Sequence, residues 1–341
     1  MKVFITGIAG FLGSRLAEQA LARGWEVTGC DSMLSADSAN VPAGAQWARA
    51  DCRDPAGWRN AAGYRDLLEG CDVVYHVAAA PYEGLSVFSP SVVYENTLGS
   101  TVTLLAASVN AGVRRFVFTS SMARYGHGKA PFTEDMPTAP VDPYGNAKVA
   151  AEQAVKCLCD LHSVEWTVAI PHNVFGPGQR YWDPFRNVPA IMANRILSGK
   201  PPVIYGDGSQ RRSLSYVDDV TGPMLLMADH PAAAGQVFNV GPGGKGVQIG
   251  ELARQIIILA GADMDPEFYP GRPSEVHDAY CSDGKTRDLL GYECQWDLEA
   301  GLKELISWIQ AKGPRPFEYH LPLEITNTPL QIPRTWTERT M

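Results

Sequence analysis

Tyr144 and Lys148 are four positions apart, and Ser121 precedes them by about twenty residues in a chain of 341 residues. Residues at i and i+4 share one face of a helix, so a phenol and an ammonium group would be neighbours here. A nearby ammonium favours the phenolate and would lower the pKa of the phenol from about 10 toward neutrality. Tyr144 could then act as a general base or acid, with Ser121 holding the reacting hydroxyl group.

A glycine-rich segment at the start of the chain predicts a site for a dinucleotide. The apolar run at 2–6 predicts a buried strand, and three glycines then follow with the spacing G-x-x-G-x-x-G before a helical pattern. Glycines at such a turn let the backbone approach a pyrophosphate, which the free N–H groups and the dipole of the helix N-terminus attract. The expected cofactor contacts in this segment are Gly7, Gly10, Phe11, Leu12 and Gly13.

Asp31 follows a second apolar run, at 25–30, and is expected to lie where the second strand ends. A carboxylate at that point accepts hydrogen bonds from both hydroxyls of an adenosine ribose and repels a 2′-phosphate. The sequence therefore favours NAD over NADP as the cofactor.

Composition and charge narrow the class of protein further. The chain is 45% hydrophobic and 19% charged, which is enough to bury a large core, and its net charge of −8 argues against nucleic acid or an anionic membrane as the main partner. No stretch of about twenty apolar residues is present, and Met1 leads directly into a strand, so we expect a cytoplasmic protein. The seven cysteines are scattered, which predicts reduced thiols and no metal site.

Strand and helix patterns alternate through the first half of the chain. Further strands are predicted at 46–50, 72–80 and 116–120, and helices at 64–68, 94–111 and 144–162. Alternation of this kind predicts a parallel sheet with helices on both faces. The strand at 72–80 ends in three alanines, which suggests that a bulky group passes close above them.

Short motifs occur in a fixed order along residues 1–312: Thr6-Gly7-x-x-Gly10-x-x-Gly13, Asp31, Asp51-x-Arg53-Asp54, His76-Val77-Ala78-Ala79, Asn96, Ser120-Ser121-x-x-x-Tyr125-Gly126, Tyr144-x-x-x-Lys148, Pro171-His172-Asn173, Tyr216-Val217-Asp218-Asp219 and Gly271-Arg272-Pro273. This set resembles the extended short-chain dehydrogenases/reductases, specifically the NAD-dependent nucleotide-sugar epimerase/dehydratase family. Each motif alone is weak evidence, but their common order makes chance agreement a poor explanation.

The resemblance implies an α/β fold with a Rossmann-like, doubly wound parallel sheet and a smaller, interleaved C-terminal domain that binds the substrate. The expected NAD-binding domain comprises 1–170 and about 211–235, and the nucleotide-sugar domain comprises 171–210 and 236–312. A Pro-rich tail at 313–341 lies beyond the resemblance, and its apolar residues predict that it lies extended over its own protomer or a neighbour's.

The resemblance also assigns site residues. Those expected at NAD, besides the glycine segment and Asp31, are Asp51, Cys52, Ala78, Ala79, Ala80, Asn96, Thr119, Tyr144, Lys148 and Pro171. Those expected at the nucleotide sugar are Ser121, Asn173, Arg212 and Arg272, with the two arginines on the diphosphate. Arg211, beside Arg212, could be the one that serves instead.

The activity is predicted by comparing family members at two positions. Dehydratases of this family carry an Asp-Glu pair directly after the catalytic Ser or Thr, whereas this chain has Met122 and Ala123, which cannot transfer a proton. We therefore expect a 4-epimerase that acts on a UDP-hexose or UDP-uronic acid through a transient 4-keto sugar. The alternatives are a dehydratase or dehydrogenase of the same family and a non-catalytic NAD-binding regulatory protein. Arg124 either bonds a substrate carboxylate or pairs with a surface acid.

The resemblance further implies a homodimer. In this family the two long helices, here near 94–111 and 144–162, commonly pack against the same pair of a second subunit in a four-helix bundle. Small residues would permit that approach or could simply face the sheet; they are Ala106, Ala107, Ala147, Ala150, Ala151 and Ala154.

Overall fold

A computed structural model describes residues 1–59 and 64–341 of the chain. Its strands are β1 (Lys2–Thr6), β2 (Glu26–Asp31), β3 (Gln46–Arg49), β4 (Val73–His76), β5 (Arg115–Thr119), β6 (Glu165–Pro171), β7 (Val174–Phe175), β8 (Val203–Tyr205), β9 (Arg211–Arg212), β10 (Ser215–Tyr216), β11 (Gln236–Val240), β12 (Val247–Gln248), β13 (Glu267–Tyr269) and β14 (Asp278–Ala279). Its helices are α1 (Phe11–Ala22), α2 (Pro55–Arg59), α3 (Glu83–Ser86), α4 (Pro90–Tyr94), α5 (Ser100–Asn110), α6 (Pro143–Leu161), α7 (Val188–Leu197), α8 (Asp218–Leu226), α9 (Ile249–Leu259), α10 (Gly284–Leu290), α11 (Leu298–Lys312) and α12 (Arg334–Thr337).

The main sheet has seven parallel strands in the described part of the chain, in the order β11-β6-β5-β4-β1-β2-β3. Its central strands are mainly apolar because helices cover both faces, and β4 and β5 are buried at every position. The order reverses beside β1, where a doubly wound sheet opens a crevice at the carboxyl ends of its strands. The predicted fold class is confirmed.

Several predicted elements differ from the observed ones in detail. The expected strand at 72–80 ends at His76, and the expected helix at 64–68 is a single 3-10 turn, Arg65–Leu67. The long helix near 94–111 begins earlier, as α4, and continues into α5 through a π-helical turn, Glu95–Gly99. π-helical turns are often found at functional sites, and this one carries Asn96.

α6 shows how local sequence positions the catalytic pair. Asp142 caps the helix by accepting a hydrogen bond from the Gly145 N–H at 2.8 Å, and Pro143 occupies the first helical position. The buried face of the helix carries Tyr144, Lys148 and Glu152 at successive four-residue intervals. The cap therefore sets the start of the helix and so the position of Tyr144 and Lys148 on it.

A second core lies beside the main sheet. α7, α9 and α11 pack together over the small sheets, and their core includes Phe175, Ile204, Ile256 and Leu302. β11 falls within the segment assigned to this unit, yet it pairs with β6 as the outermost strand of the main sheet. β9 falls within the other segment, yet it pairs with β12 and β14. Strand pairing therefore crosses the expected boundaries at 211 and 236.

The tail at 313–341 packs against the protomer's own surface and ends in α12. Thr335 and Trp336 are buried there. No helix among residues 1–59 and 64–341 is both long enough and apolar enough to cross a membrane.

Candidate active site

A cavity of about 650 Å³ lies between the carboxyl ends of the main-sheet strands and the second core. This is where an open α/β sheet binds its ligands, and the volume lies within the usual range for ligand sites. The predicted site residues that line it are Gly7, Gly10, Phe11, Leu12, Gly13, Asp31, Asp51, Cys52, Ala78, Ala79, Asn96, Thr119, Ser121, Tyr144, Lys148, Pro171, Asn173, Arg212 and Arg272.

The glycine turn between β1 and α1 is too tight for side chains. A Cβ atom on Gly13 would lie 2.1 Å from the Gly7 carbonyl oxygen, and one on Gly7 would lie 3.1 Å from the Cα of Ala78. Gly7 also has a φ of +69°, which L-residues rarely adopt. The N-terminus of α1 is thus left open to the cavity, and this arrangement fits a pyrophosphate group.

Asp31 lies at the end of β2 and lines the same cavity. Its two carboxylate oxygens accept hydrogen bonds from the backbone N–H groups of Ala9 (3.1 Å) and Met33 (2.8 Å), which fix its orientation. Burial raises the pKa of Asp31, and these two hydrogen bonds oppose that rise. The carboxylate is therefore placed as the binding of a ribose requires.

Hydrogen bonds of Thr6, which also contacts His76, hold the loop that follows β4 in place. Thr6 Oγ1 accepts hydrogen bonds from the N–H groups of Val77 and Ala78, both at 3.1 Å, and lies 2.8 Å from His76 Nδ1. Burial lowers the pKa of His76 to about 3, so this ring is neutral. Ala80 was expected at the cofactor, but its side chain is fully buried in a hydrophobic core and does not line the cavity.

The predicted catalytic trio meets in the cavity. Ser121 follows β5 and caps the short 3-10 turn Met122–Tyr125. Its Oγ accepts a hydrogen bond from the Ala123 N–H at 3.2 Å. Lys148 Nζ donates to the Thr119 carbonyl oxygen at 2.6 Å and lies 5.9 Å from the centre of the Tyr144 ring. A hydrogen bond from Ser121 also favours the phenolate of Tyr144.

The sequence predicted that the pKa of Tyr144 lies below its ordinary value, and this prediction is wrong for the protein without bound ligands. Burial raises the pKa of Tyr144 above its ordinary value, and the negative charges of Glu83 and Asp142 add to this rise. Burial also lowers the pKa of Lys148 to about 7, although the carboxylate of Glu152 opposes that shift. Sequence spacing predicted the proximity of the two groups, but desolvation of both outweighs their attraction.

The two arginines expected at the diphosphate converge on one carboxylate. Arg212 Nη2 and Arg272 Nη2 each lie 2.9 Å from Glu275 Oε1, and all three residues line the cavity. Arg211 instead donates to the Gly246 carbonyl oxygen at 3.2 Å and is not among the lining residues. Arg212 is therefore the one of the pair that faces the cavity.

Glu83 is a cavity residue that the sequence analysis did not find. Glu83 is the first residue of α3, lines the cavity and is exposed to solvent there. Desolvation by the surrounding protein and, less strongly, the nearby Asp142 raise the pKa of Glu83 to about 7, whereas Arg212 and Arg272 oppose the shift. A single acidic residue at the start of a short helix carries no motif, so no sequence signal indicated its place.

Residues next to Ser121 have different surroundings. Met122 lines the cavity, whereas Ala123 is buried beneath it. Arg124 is 5% exposed, is not a lining residue, and pairs with the buried Glu152 Oε2 at 3.4 Å. Of the two interpretations of Arg124, pairing with an acid is therefore the observed one, and this acid is buried rather than on the surface.

A doubly wound sheet with a glycine turn, an acidic residue at the end of β2 and a Tyr-x-x-x-Lys helix at one cavity defines an extended short-chain dehydrogenase/reductase. Residues 3–241 match the model of the NAD dependent epimerase/dehydratase family, and the chain belongs to this family. Membership identifies NAD as the cofactor, as Asp31 and the glycine segment predicted.

Relatives agree with this assignment over most of the chain. UDP-glucose 4-epimerase of Mycolicibacterium smegmatis is 33% identical over 324 residues, which cover 92% of this chain and all of that protein. Two crystal structures are similar in fold: UDP-glucose 4-epimerase of Thermotoga maritima with UDP-glucose (TM-score 0.86, 28% identity, 92% of this chain and 99% of that one) and UDP-glucose 4-epimerase of Thermus thermophilus with NAD (TM-score 0.84, 30% identity, 91% and 99%).

Proposed function

We propose that this protein is an NAD-dependent nucleotide-sugar 4-epimerase whose substrate is of the UDP-hexose type. The observation that carries the proposal is the environment of Ser121. Tyr144 and Lys148 face the cavity beside it, while Met122 and Ala123, the positions of the dehydratase acid and base, hold no group that can transfer a proton.

The chain's own residues would perform the proton transfers. Tyr144 Oη accepts the proton of the sugar 4-hydroxyl and later returns one to the 4-keto oxygen, while Ser121 orients that oxygen. The ammonium group of Lys148 stabilises the phenolate form of Tyr144 and so opposes the effect of burial. Bound NAD supplies the hydride acceptor and, in the return step, the hydride donor. Return of the hydride to the other face of the sugar inverts carbon 4 without net oxidation.

The substrate class rests on the lining of the far end of the cavity. Arg212 and Arg272 offer guanidinium groups that can each bond phosphate oxygens in pairs, which suits a diphosphate. The named relatives are UDP-glucose 4-epimerases, which supports a uridine nucleotide. Because Arg124 pairs with Glu152 outside the cavity, it is not placed to bind a uronic acid carboxylate. We therefore favour a neutral hexose.

The raised pKa of Glu83 supports a second candidate activity within the same family. With a pKa raised to about 7, this carboxyl group could exchange a proton at physiological pH. If it reached carbon 5 or carbon 6 of the sugar, the 4-keto intermediate could lose water or change configuration at a second carbon. A dehydratase is therefore the second candidate activity.

The experiment is an incubation of the purified protein with NAD in deuterated water, with UDP-glucose, UDP-galactose, UDP-glucuronate and the GDP, CDP and dTDP sugars as substrates. NMR follows the products, and absorbance follows NADH. We expect a 4-epimer that contains no deuterium and no accumulated NADH. Deuterium at carbon 5, loss of water, or one NADH per sugar would instead show a second-carbon epimerase, a dehydratase or a dehydrogenase. A protein that binds NAD but changes none of these sugars would support the regulatory alternative.

We also propose the homodimer that the family resemblance implies. Ala147 and Ala151 cannot contribute to its interface, because both are buried inside the protomer, whereas Ala106 and the 42% exposed Val102 lie on the outer face of α5. Light scattering coupled to gel filtration tests this, and Val102→Glu is expected to shift the protein from about twice the chain mass toward once that mass, which would place α5 at the interface.

A further inference from the structure

Residues 313–341, here called the strap, contribute Arg315, Trp336 and Met341 to the lining of the cavity. Where the strap leaves α11, Asn194 of α7 exchanges two hydrogen bonds with the backbone of Arg315, at 2.8 and 2.9 Å. Further along, the Pro322 carbonyl oxygen accepts from Ser89 Oγ at 2.6 Å. These contacts tie the strap to both sides of the cleft, because α7 belongs to the second core and Ser89 to the segment after β4.

The end of the strap is hydrogen-bonded to the last residue of β8. The Tyr205 and Thr335 hydroxyls are hydrogen-bonded to each other, and Tyr319 Oη donates to the Thr335 carbonyl oxygen at 2.8 Å. The Met341 N–H in turn donates to Tyr319 Oη at 3.1 Å. Tyr205 and Met341 both line the cavity, so this part of the strap is a section of its wall.

Trp336 is the strap's aromatic contribution to that wall. It is 5% exposed, lines the cavity and packs edge-on against Phe185, with ring centres 5.3 Å apart. Its Cη2 atom would lie 3.4 Å from a Cβ on Gly84, and the same position lies 3.2 Å from Arg272 Nη1. The indole, Gly84 and the guanidinium group of Arg272 therefore meet at one point of the cavity.

The Cη2 edge of the Trp336 ring, rather than its buried N–H, is the part that lies beside Gly84 and Arg272. Arg272, its neighbour, is one of the two arginines proposed to hold a diphosphate. A sugar diphosphate held by Arg272 would therefore lie against the ring of Trp336.

We propose that Trp336 is a substrate-binding residue of the strap, whose ring forms part of the wall for the sugar-diphosphate part of a nucleotide sugar. This inference rests on the proposed function for the class of ligand. The strap then acts as a fixed part of the substrate site, and the 4-keto sugar is retained partly because Trp336 closes one side of its space.

The experiment compares Trp336→Ala, Trp336→Phe and the control Leu330→Ala. Leu330 is a matched control because it lies on the same strap, is 43% exposed and does not line the cavity. Calorimetry measures the binding of UDP-glucose and of UDP to each NAD-loaded protein, and thermal unfolding checks that each variant folds. Absorbance then records NADH released during turnover.

We expect Trp336→Ala to weaken UDP-glucose binding by about tenfold or more, as loss of a buried aromatic contact usually does, and to release more NADH than the wild type. Trp336→Phe keeps an aromatic wall of smaller area, so a loss of about threefold is expected. The control should bind as the wild type does. Equal affinities for both Trp336 variants and the control would overturn the inference. If the wild type binds nucleotide sugars without epimerising them, the proposed function fails, while the affinities still decide the role of Trp336.

Discussion

The cofactor side and the substrate side of the cavity are built in different ways. The cofactor side uses backbone and small side chains from neighbouring strands of one sheet, such as the glycine turn after β1 and the loop after β4. The substrate side combines charged and aromatic side chains from distant segments, among them Glu83, Arg212, Arg272 and Trp336. The first is therefore shaped by local geometry, whereas the second depends on long-range packing and charge balance.

Tyr144 lies where the two sides meet, and its removal should separate chemistry from binding. Tyr144→Phe leaves both ligand sites in place but removes the proton acceptor, so kcat is expected to fall by about 10²- to 10⁴-fold. Binding of NAD and of UDP-glucose, measured by calorimetry, should change little. Tyr94→Phe, at an exposed tyrosine outside the cavity, is the control. Residual activity close to that of the wild type would assign the proton transfer to another group.

Gly13→Ala should damage the cofactor side selectively. A Cβ there would meet the Gly7 carbonyl oxygen at 2.1 Å, so the turn must move, at a cost of about 1–3 kcal/mol. We expect NAD affinity to fall by about tenfold or more and the apoprotein to unfold at a lower temperature. Gly284→Ala, at the start of α10, where the new Cβ meets an atom no closer than 3.4 Å, should preserve both quantities. Unchanged NAD affinity in Gly13→Ala would show that the turn does not position the pyrophosphate.

Arg212→Lys tests the substrate side with a control in the adjacent position. Lysine keeps the charge but loses the paired donors, so KM for UDP-glucose should rise about tenfold, while KM for NAD stays constant. Arg211→Lys should leave both KM values unchanged, because Arg211 bonds backbone carbonyl groups outside the cavity. The reverse result, with Arg211 the sensitive residue, would contradict the assignment of the diphosphate site.

Glu83 should make substrate binding depend on pH. Its pKa is raised to about 7, and a bound diphosphate would raise that pKa further by adding negative charge. The complex then holds the Glu83 proton more tightly than the free enzyme, so affinity for UDP-glucose is expected to fall a few-fold from pH 6 to pH 8. Calorimetry at both pH values measures this, and Glu83→Gln should remove the dependence. Retention of the full pH dependence in Glu83→Gln would mean that another group titrates.

The two sides of the cavity also differ in how much of their structure could be predicted from the sequence. The glycine turn and Asp31 could be predicted because a short run of residues dictates each local geometry. Pairing of Arg212 with Glu275, the place of Glu83 and the role of the strap could not be predicted, since each depends on segments tens to hundreds of residues apart. The burial of Ala80 was missed for a related reason, because it depends on core residues from other parts of the chain.

The sequence by itself determined the fold class and the cofactor and predicted that Ser121, Tyr144 and Lys148 share one site, because motif order, strand-helix alternation and four-residue spacing act over short distances. Tertiary structure alone decided the ionisation of the site. Burial raises the pKa of Tyr144 and lowers the pKa of Lys148, which reverses the expectation drawn from their spacing. It also decided that Arg212 rather than Arg211 faces the cavity and that Trp336 lines it, since burial and long-range contacts exist only after the chain has folded.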